Sequence, residues 1–244
     1  MIEAQWHLLC KPGDVARYVL LPGDPGRVKR IVAQMDDAHL VAENREYIVY
    51  TGTTRGVPVS VCSTGIGGPA ASIALEELVN IGAQVFIRVG SCAGRLEDIP
   101  IGMPIIIRAA FRGEGTSNAY LPLGFPAVAD LDVSVALIDA ARESAERVRI
   151  GIADTRDAFY MPDVNLAERM RQAGVIAGEQ EAATLFVVGA WRGVNVGAIA
   201  TTDSNKWLEV QLPADERRLL FAQGEKKMIA IALRAMQLLA ERGI

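Results

Sequence analysis

Arg88 stands inside an apolar, β-branched run, Val85-Phe86-Ile87-Arg88-Val89, that breaks into Gly90-Ser91-Cys92-Ala93-Gly94. A short apolar run closed by turn residues reads as a buried parallel strand, and a guanidinium there needs a partner because an isolated buried charge is very costly. An internal carboxylate or water at a sheet edge would satisfy it. So would a bound anion, with Gly90, Ser91 and Gly94 letting the backbone come close and offering N–H and O–H donors. A second arginine, Arg27, follows the turn Pro22-Gly23-Asp24-Pro25-Gly26, between a strand read over 18–21 and helical spacing over 28–35. A helix start presents free N–H groups and partial positive charge, which suits phosphate, and Arg27 adds a bidentate donor. Neither GxxxxGK nor GxGxxG is present, and a plain tight turn accounts for these glycines equally well. Glu179-Gln180-Glu181 reads as the opening of a helix to about 192, where acidic residues suit the dipole. Asp203 follows a buried strand at 194–200, where a turn or cap role is the ordinary expectation. Phe159 and Tyr160, in a loop read over 155–162, either stack on a planar ligand or anchor the core.

The elements that carry these residues alternate. Runs at 47–53 and 57–62 flank Arg55-Gly56 as a hairpin. A second glycine turn at 63–69 leads into helical spacing over 70–81 and then into the Arg88 strand. Further on, the pattern gives a strand at 104–111, an amphipathic helix at 131–148 capped by Asp130 or Asp132, a strand at 149–154, a helix at 166–172 and a strand at 174–178. A long helix closes the chain over 213–242, with Gly224 as its expected weak point. Such alternation implies an α/β fold: a single domain over 1–244 with a central mixed β-sheet flanked by helices on both faces. Ligands of such folds bind at the carboxyl ends of strands, where Gly23, Arg27, Arg88, Gly90, Ser91, Phe159 and Asp203 all fall.

Composition narrows the partners. The chain has 244 residues, half of them hydrophobic, and a formal net charge of −4 with Lys and Arg dispersed, which argues against nucleic acid. Cys10, Cys62 and Cys92 are odd in number and widely spaced, which suggests neither a disulfide framework nor a zinc site and fits a reducing cytoplasm. The start of the chain, with Glu3, Trp6 and His7, lacks the pattern of a leader peptide, and no apolar run reaches membrane-spanning length. A cytoplasmic protein without membrane partners is expected.

Taken in order, LLPGDPGR, ENREY, STGIGGPAASIALEEL, FIRVGSCAG, DAFYMP, EQEAATLF and TTDS resemble the purine nucleoside and uridine phosphorylase family across nearly the whole chain. The resemblance implies phosphorolysis of the N-glycosidic bond of a purine ribo- or deoxyribonucleoside, with inorganic phosphate as co-substrate and no cofactor or metal. Phosphate would be held by Gly23, Arg27, Arg88 and Ser91, with Arg45 from a neighbouring subunit. Ribose would meet Glu181, the region of Glu179 and Gln180, and His7 of that neighbour; the base would stack near Phe159 and meet Asp203 as general acid. It also implies a homo-oligomer, a hexamer built as a trimer of dimers, with sites shared across an interface.

Three positions depart from the family pattern. Gln180 stands where a methionine usually packs on the sugar, Arg156 replaces a small residue of the base loop, and Arg217 and Arg218 do not align cleanly with the arginine that often assists the acid. Hydrolytic nucleosidases share the glutamate and aspartate but do not need Arg27, Arg45 and Arg88. Uridine phosphorylases keep the arginines but read uracil through a Gln and an Arg after the FY pair, where this chain has Met161-Pro162-Asp163, and lack the late Asp; purine is therefore favoured. The alternatives are a uridine phosphorylase, a methylthioadenosine phosphorylase or nucleosidase, and a non-catalytic nucleoside-binding homologue.

Overall fold

The computed structural model describes residues 4–161 and 163–244. Pro162, the end of the loop read from the sequence, and Glu3 lie outside them. In chain order the elements are β1 (Tyr18–Leu21), α1 (Pro25–Val32), β2 (Asp36–Asn44), β3 (Tyr47–Thr54), β4 (Val57–Cys62), α2 (Gly68–Asn80), β5 (Val85–Gly94), β6 (Pro104–Gly113), α3 (Thr116–Tyr120), β7 (Ala127–Val128), α4 (Leu131–Glu143), β8 (Arg149–Arg156), α5 (Val164–Gln172), β9 (Val175–Glu179), α6 (Ala182–Arg192), β10 (Asn195–Ser204) and α7 (Ala214–Glu241).

All the strands join one mixed sheet in the order β10-β6-β8-β9-β5-β1-β4-β3-β2, with β7 beside β6 and an extra pairing of β10 to β5. That extra pairing closes β5-β9-β8-β6-β10 into a ring, and β1 to β4 extend from it as an open sheet. Alternation along β1 and β5 shows how two faces are filled. Tyr18, Leu20, Val85, Ile87 and Val89 enter the core under α1, α4 and α7, while Val19, Leu21 and Phe86 enter the core under α2 and α6. The expected mixed sheet with helices on both faces is what forms.

Several boundaries differ from the sequence reading, each for a local reason. Helix α1 begins at Pro25, not at 28, because Asp24 caps it by accepting from the Gly26 N–H at 2.8 Å and proline suits the first turn. Helix α4 ends at Glu143, short of 148. Glu179 ends β9 rather than opening α6, Thr155 and Arg156 belong to β8 rather than to a loop, and β10 runs through Asp203 instead of stopping at Ala200. Strand β2, whose DDAHLVAEN sequence is polar and largely exposed, gave no alternation to read. Gly224 does not weaken α7. Its missing side chain lets the helix rest on the turn before β6, where a Cβ would lie 2.1 Å from the Gly102 carbonyl oxygen.

Candidate functional site

The turn after β1 and the turn after β4 lie side by side: Thr64 N–H donates to the Pro22 carbonyl at 2.8 Å and Gly65 N–H to the Gly23 carbonyl at 3.1 Å. A Cβ on Gly23 would sit 3.0 Å from the Gly65 oxygen, so any larger residue would press the two turns apart by a few tenths of an ångström. These turns form one wall of a cavity of about 1030 Å³, whose lining also includes Arg27, Arg88, Ser91, Phe159, Glu179, Gln180, Glu181 and Asp203. Ligand pockets commonly span roughly 300–1,000 Å³, so there is room for a nucleoside beside an anion. Residues as far apart as Gly23 and Ser204 thus share one space.

Arg88 and Arg27 are both buried and both already paired. Arg88 Nε reaches Glu179 Oε2 at 3.0 Å and its Nη2 reaches Glu181 Oε2 at 2.5 Å. Gly90 provides the room, since a Cβ there would be 2.7 Å from Arg88 Nη2. Arg27 Nε donates to Glu225 of α7 at 2.6 Å and its Nη1 to the Val89 carbonyl at 3.1 Å. Glu225 in turn holds Arg30, which also reaches Asp24. The internal carboxylate read as one option for Arg88 is therefore present, and the guanidinium still faces the cavity. Burial works against its charge, but Glu181 and Glu179 outweigh that and hold its pKa above the ordinary value.

The two glutamates differ in freedom. Glu179 accepts from the N–H groups of Glu181 and Ala182, both at 2.9 Å, from Thr155 Oγ1 and from Arg88, so it caps α6 and fixes the arginine. These contacts hold the carboxylate at the cavity wall, where it orients Arg88 and the start of α6. Glu181 accepts from the Gly67 N–H at 2.6 Å and from Arg88. Burial raises its pKa, Arg88 opposes, Glu179 raises it further, and the balance is upward. Gln180 Nε2 donates to the Asp157 carbonyl at 2.9 Å, tying the start of α6 to the loop of Phe159. Phe159 and Tyr160 are not core anchors: they are 73% and 89% exposed, edge to face at 5.0 Å.

Asp203 is the extra residue of a β-bulge. Register between β10 and β5 pairs Thr202 with Cys92 and Ser204 with Ala93, leaving Asp203 unmatched, and a bulge of this kind re-aims a side chain. Solvent reaches the carboxyl through the cavity while protein surrounds the rest. This desolvation raises its pKa, against the opposing effects of the Ser204 hydroxyl at 2.7 Å, Arg27 and Ser91. Arg217 and Arg218 of α7 line a smaller cleft with Asp203, and Arg217 Nε is buried without a hydrogen-bond partner among the described residues.

His7 and Arg45 lie outside this cavity. His7 Nδ1 is 2.6 Å from Glu77 and its carbonyl accepts from Asn44 at 2.8 Å, while Arg45 is exposed at the β2–β3 turn with φ of 56°. The two therefore sit together on the surface, away from the site of their own chain. Sequence reasoning missed Glu225, Arg95 and Asp154: carboxylates and arginines far apart in sequence give no local signal of pairing. Among the described residues no cluster of three or more His, Cys, Asp or Glu side chains could hold a metal ion, and no helix is long and apolar enough to cross a membrane.

With this geometry in place, comparison with known proteins gives a consistent result. Residues 17–237 match the family model described as Phosphorylase superfamily. A uridine phosphorylase of Thermococcus kodakarensis is 45% identical, the match covering 97% of this chain and 87% of the relative. A guanosine phosphorylase of Halorubrum lacusprofundi is 40% identical over 82% of this chain and 83% of its own. Among solved structures, a uridine phosphorylase from Vibrio fischeri ES114 complexed with 6-hydroxy-1-naphthoic acid superposes with a TM-score of 0.90 at 32% identity, covering 97% of each chain.

Proposed function

Because the chain belongs to the phosphorylase superfamily, we propose that it is a nucleoside phosphorylase, using inorganic phosphate to split an N-glycosidic bond into free base and pentose 1-phosphate. The observation that carries this reading is the shared cavity of Gly23, Arg27, Arg88, Ser91, Glu181, Phe159 and Asp203. Phosphorolysis builds positive charge on the sugar and negative charge on the departing base. Phosphate held by the Gly23 turn, Ser91 and the unused N–H groups of Arg27 and Arg88 attacks C1′, and its charge steadies the oxocarbenium-like sugar. Glu181, acceptor-rich and oriented by Arg88 and the Gly67 amide, accepts hydrogen bonds from the sugar hydroxyls. Phe159 stacks on the base.

Uridine is the substrate assigned first, on the names of the Thermococcus and Vibrio relatives. The sequence reading favoured a purine; those names favour its uridine alternative, and purine becomes the second reading. It is kept for one observation, the bulged Asp203 with its raised pKa, which suits donation to purine N7, and the Halorubrum relative agrees with it. Arg217 is then the arginine of α7 that supports Asp203. Arg45 and His7 complete the site of a neighbouring copy, so the working unit is a homo-oligomer, with a hexamer expected. Three buried, unbridged cysteines suit a reducing cytoplasm.

The test is kcat/KM in phosphate buffer for uridine, guanosine, inosine, adenosine and methylthioadenosine. Uridine should exceed the others by tenfold or more. Guanosine leading instead would transfer the assignment to the purine reading.

A further inference from the structure

Two guanidinium groups in the cavity lining have no part in the phosphate account. Arg95 lies just beyond β5 and Arg156 ends β8, three residues before Phe159. Both lean on one buried carboxylate: Arg95 Nη2 is 3.2 Å from Asp154 Oδ2 and Arg156 Nε is 2.8 Å from Asp154 Oδ1. Among the described residues neither forms an ion pair with any other acid. One negative charge therefore faces two positive ones.

Each guanidinium also keeps a buried nitrogen, Arg95 Nε and Arg156 Nη2, without a partner among the described residues. The cluster is short of acceptors, and burial lowers the Arg95 pKa. The sheet is built to hold it. Register pairs Gly178 of β9 with Ala93 on one side and Asp154 on the other, and a Cβ on Gly178 would lie 2.3 Å from Arg95 Nη2. Glycine at this point lets the Arg95 head lie flat against β9 at the cavity wall.

We infer that Arg95 and Arg156 read the edge of the base and select a ring that carries a carbonyl oxygen there, uracil or a 6-oxopurine, over its amino-bearing counterpart. The inference rests on the nucleoside reading above. A carbonyl oxygen gives an acceptor to the N–H groups that the two partly exposed guanidiniums turn to the cavity, beside the ones left unpaired in the wall, whereas an amino group sets donor against donor. The same cluster favours departure of the base: as the C1′–N bond breaks, its electron pair goes to the ring nitrogen and spreads to the exocyclic oxygens, where the unbalanced positive charge already stands.

Calorimetric binding of intact nucleosides without phosphate tests this apart from turnover, using uridine against cytidine and inosine against adenosine. Hydrogen bonds to charged donors support a preference of roughly 10- to 100-fold for the carbonyl member in the pair that binds. Arg95→Met and Arg156→Met should each cut that preference about tenfold or more, and Gly178→Ala should do the same by displacing Arg95 while leaving its charge in the protein. No carbonyl preference in the unaltered protein, or a preference kept in all three variants, overturns the inference. A preserved preference without phosphate-dependent base release would instead overturn the proposed reaction, and absence of binding by either pair would overturn both.

Discussion

Asp203 shows how a single side chain acquires a task from its surroundings. The bulge aims it into the cavity, where it stays open to solvent on one side while the surrounding protein desolvates it enough to raise its pKa, so the proton it could donate is retained to higher pH than an ordinary aspartate allows. The donor form exists below the raised pKa and is lost as pH rises through it, so the rate on a purine nucleoside should fall along that limb. Asp203→Asn keeps a hydrogen-bond donor but transfers no proton. It should slow guanosine by about 10²–10⁴-fold, flatten the alkaline limb and affect uridine less, as judged by kcat/KM against pH. Equal loss on both substrates would mean that Asp203 only positions the base. The sequence made Asp203 legible as a residue at a strand end, but not as a bulge, because a one-residue register shift depends on the partner strand.

At the scale of elements, the repeated order of strand, glycine turn and helix could be read directly, since hydrophobic period and turn chemistry are local. What joins the elements could not. Arg27 and Glu225 are 198 positions apart, and Glu179, which local pattern places at a helix opening, ends β9 and caps α6 from there. Strand β2 escaped notice because its exposed polar sequence lacks a buried face. Gly224 is the clearest reversal. Alanine would gain roughly 1 kcal/mol of helix propensity, yet its Cβ would meet the Gly102 oxygen at 2.1 Å. Clash of this severity forces backbone movement, so Gly224→Ala should destabilise by about 1–3 kcal/mol net, measured by urea unfolding. A stabilised variant would restore the view of Gly224 as a weak point.

At the scale of the whole molecule, His7 and Arg45 are the residues of the proposed site that a chain does not bring to its own cavity. Among the described residues Glu179 and Glu181 share Arg88 alone as a cation, while His7 and Arg45 sit together on the outer surface. In the homo-oligomer proposed above, the surface group of one copy reaches the cavity of the other. Mixing His7→Ala subunits with Arg88→Ala subunits should then recover roughly a quarter of full activity on the preferred nucleoside, since half the pairs are mixed and one site in each is intact. An active monomer on sedimentation would refute the shared site. The proposed reaction turns on phosphate held by the buried arginines. Its most direct measurement is the appearance of ribose 1-phosphate from uridine, or from the preferred nucleoside, by phosphorus NMR. The account predicts product only when phosphate is supplied, and a loss of about 10²–10³-fold in Arg88→Ala. Base release at the same rate without phosphate, giving free ribose, would contradict it.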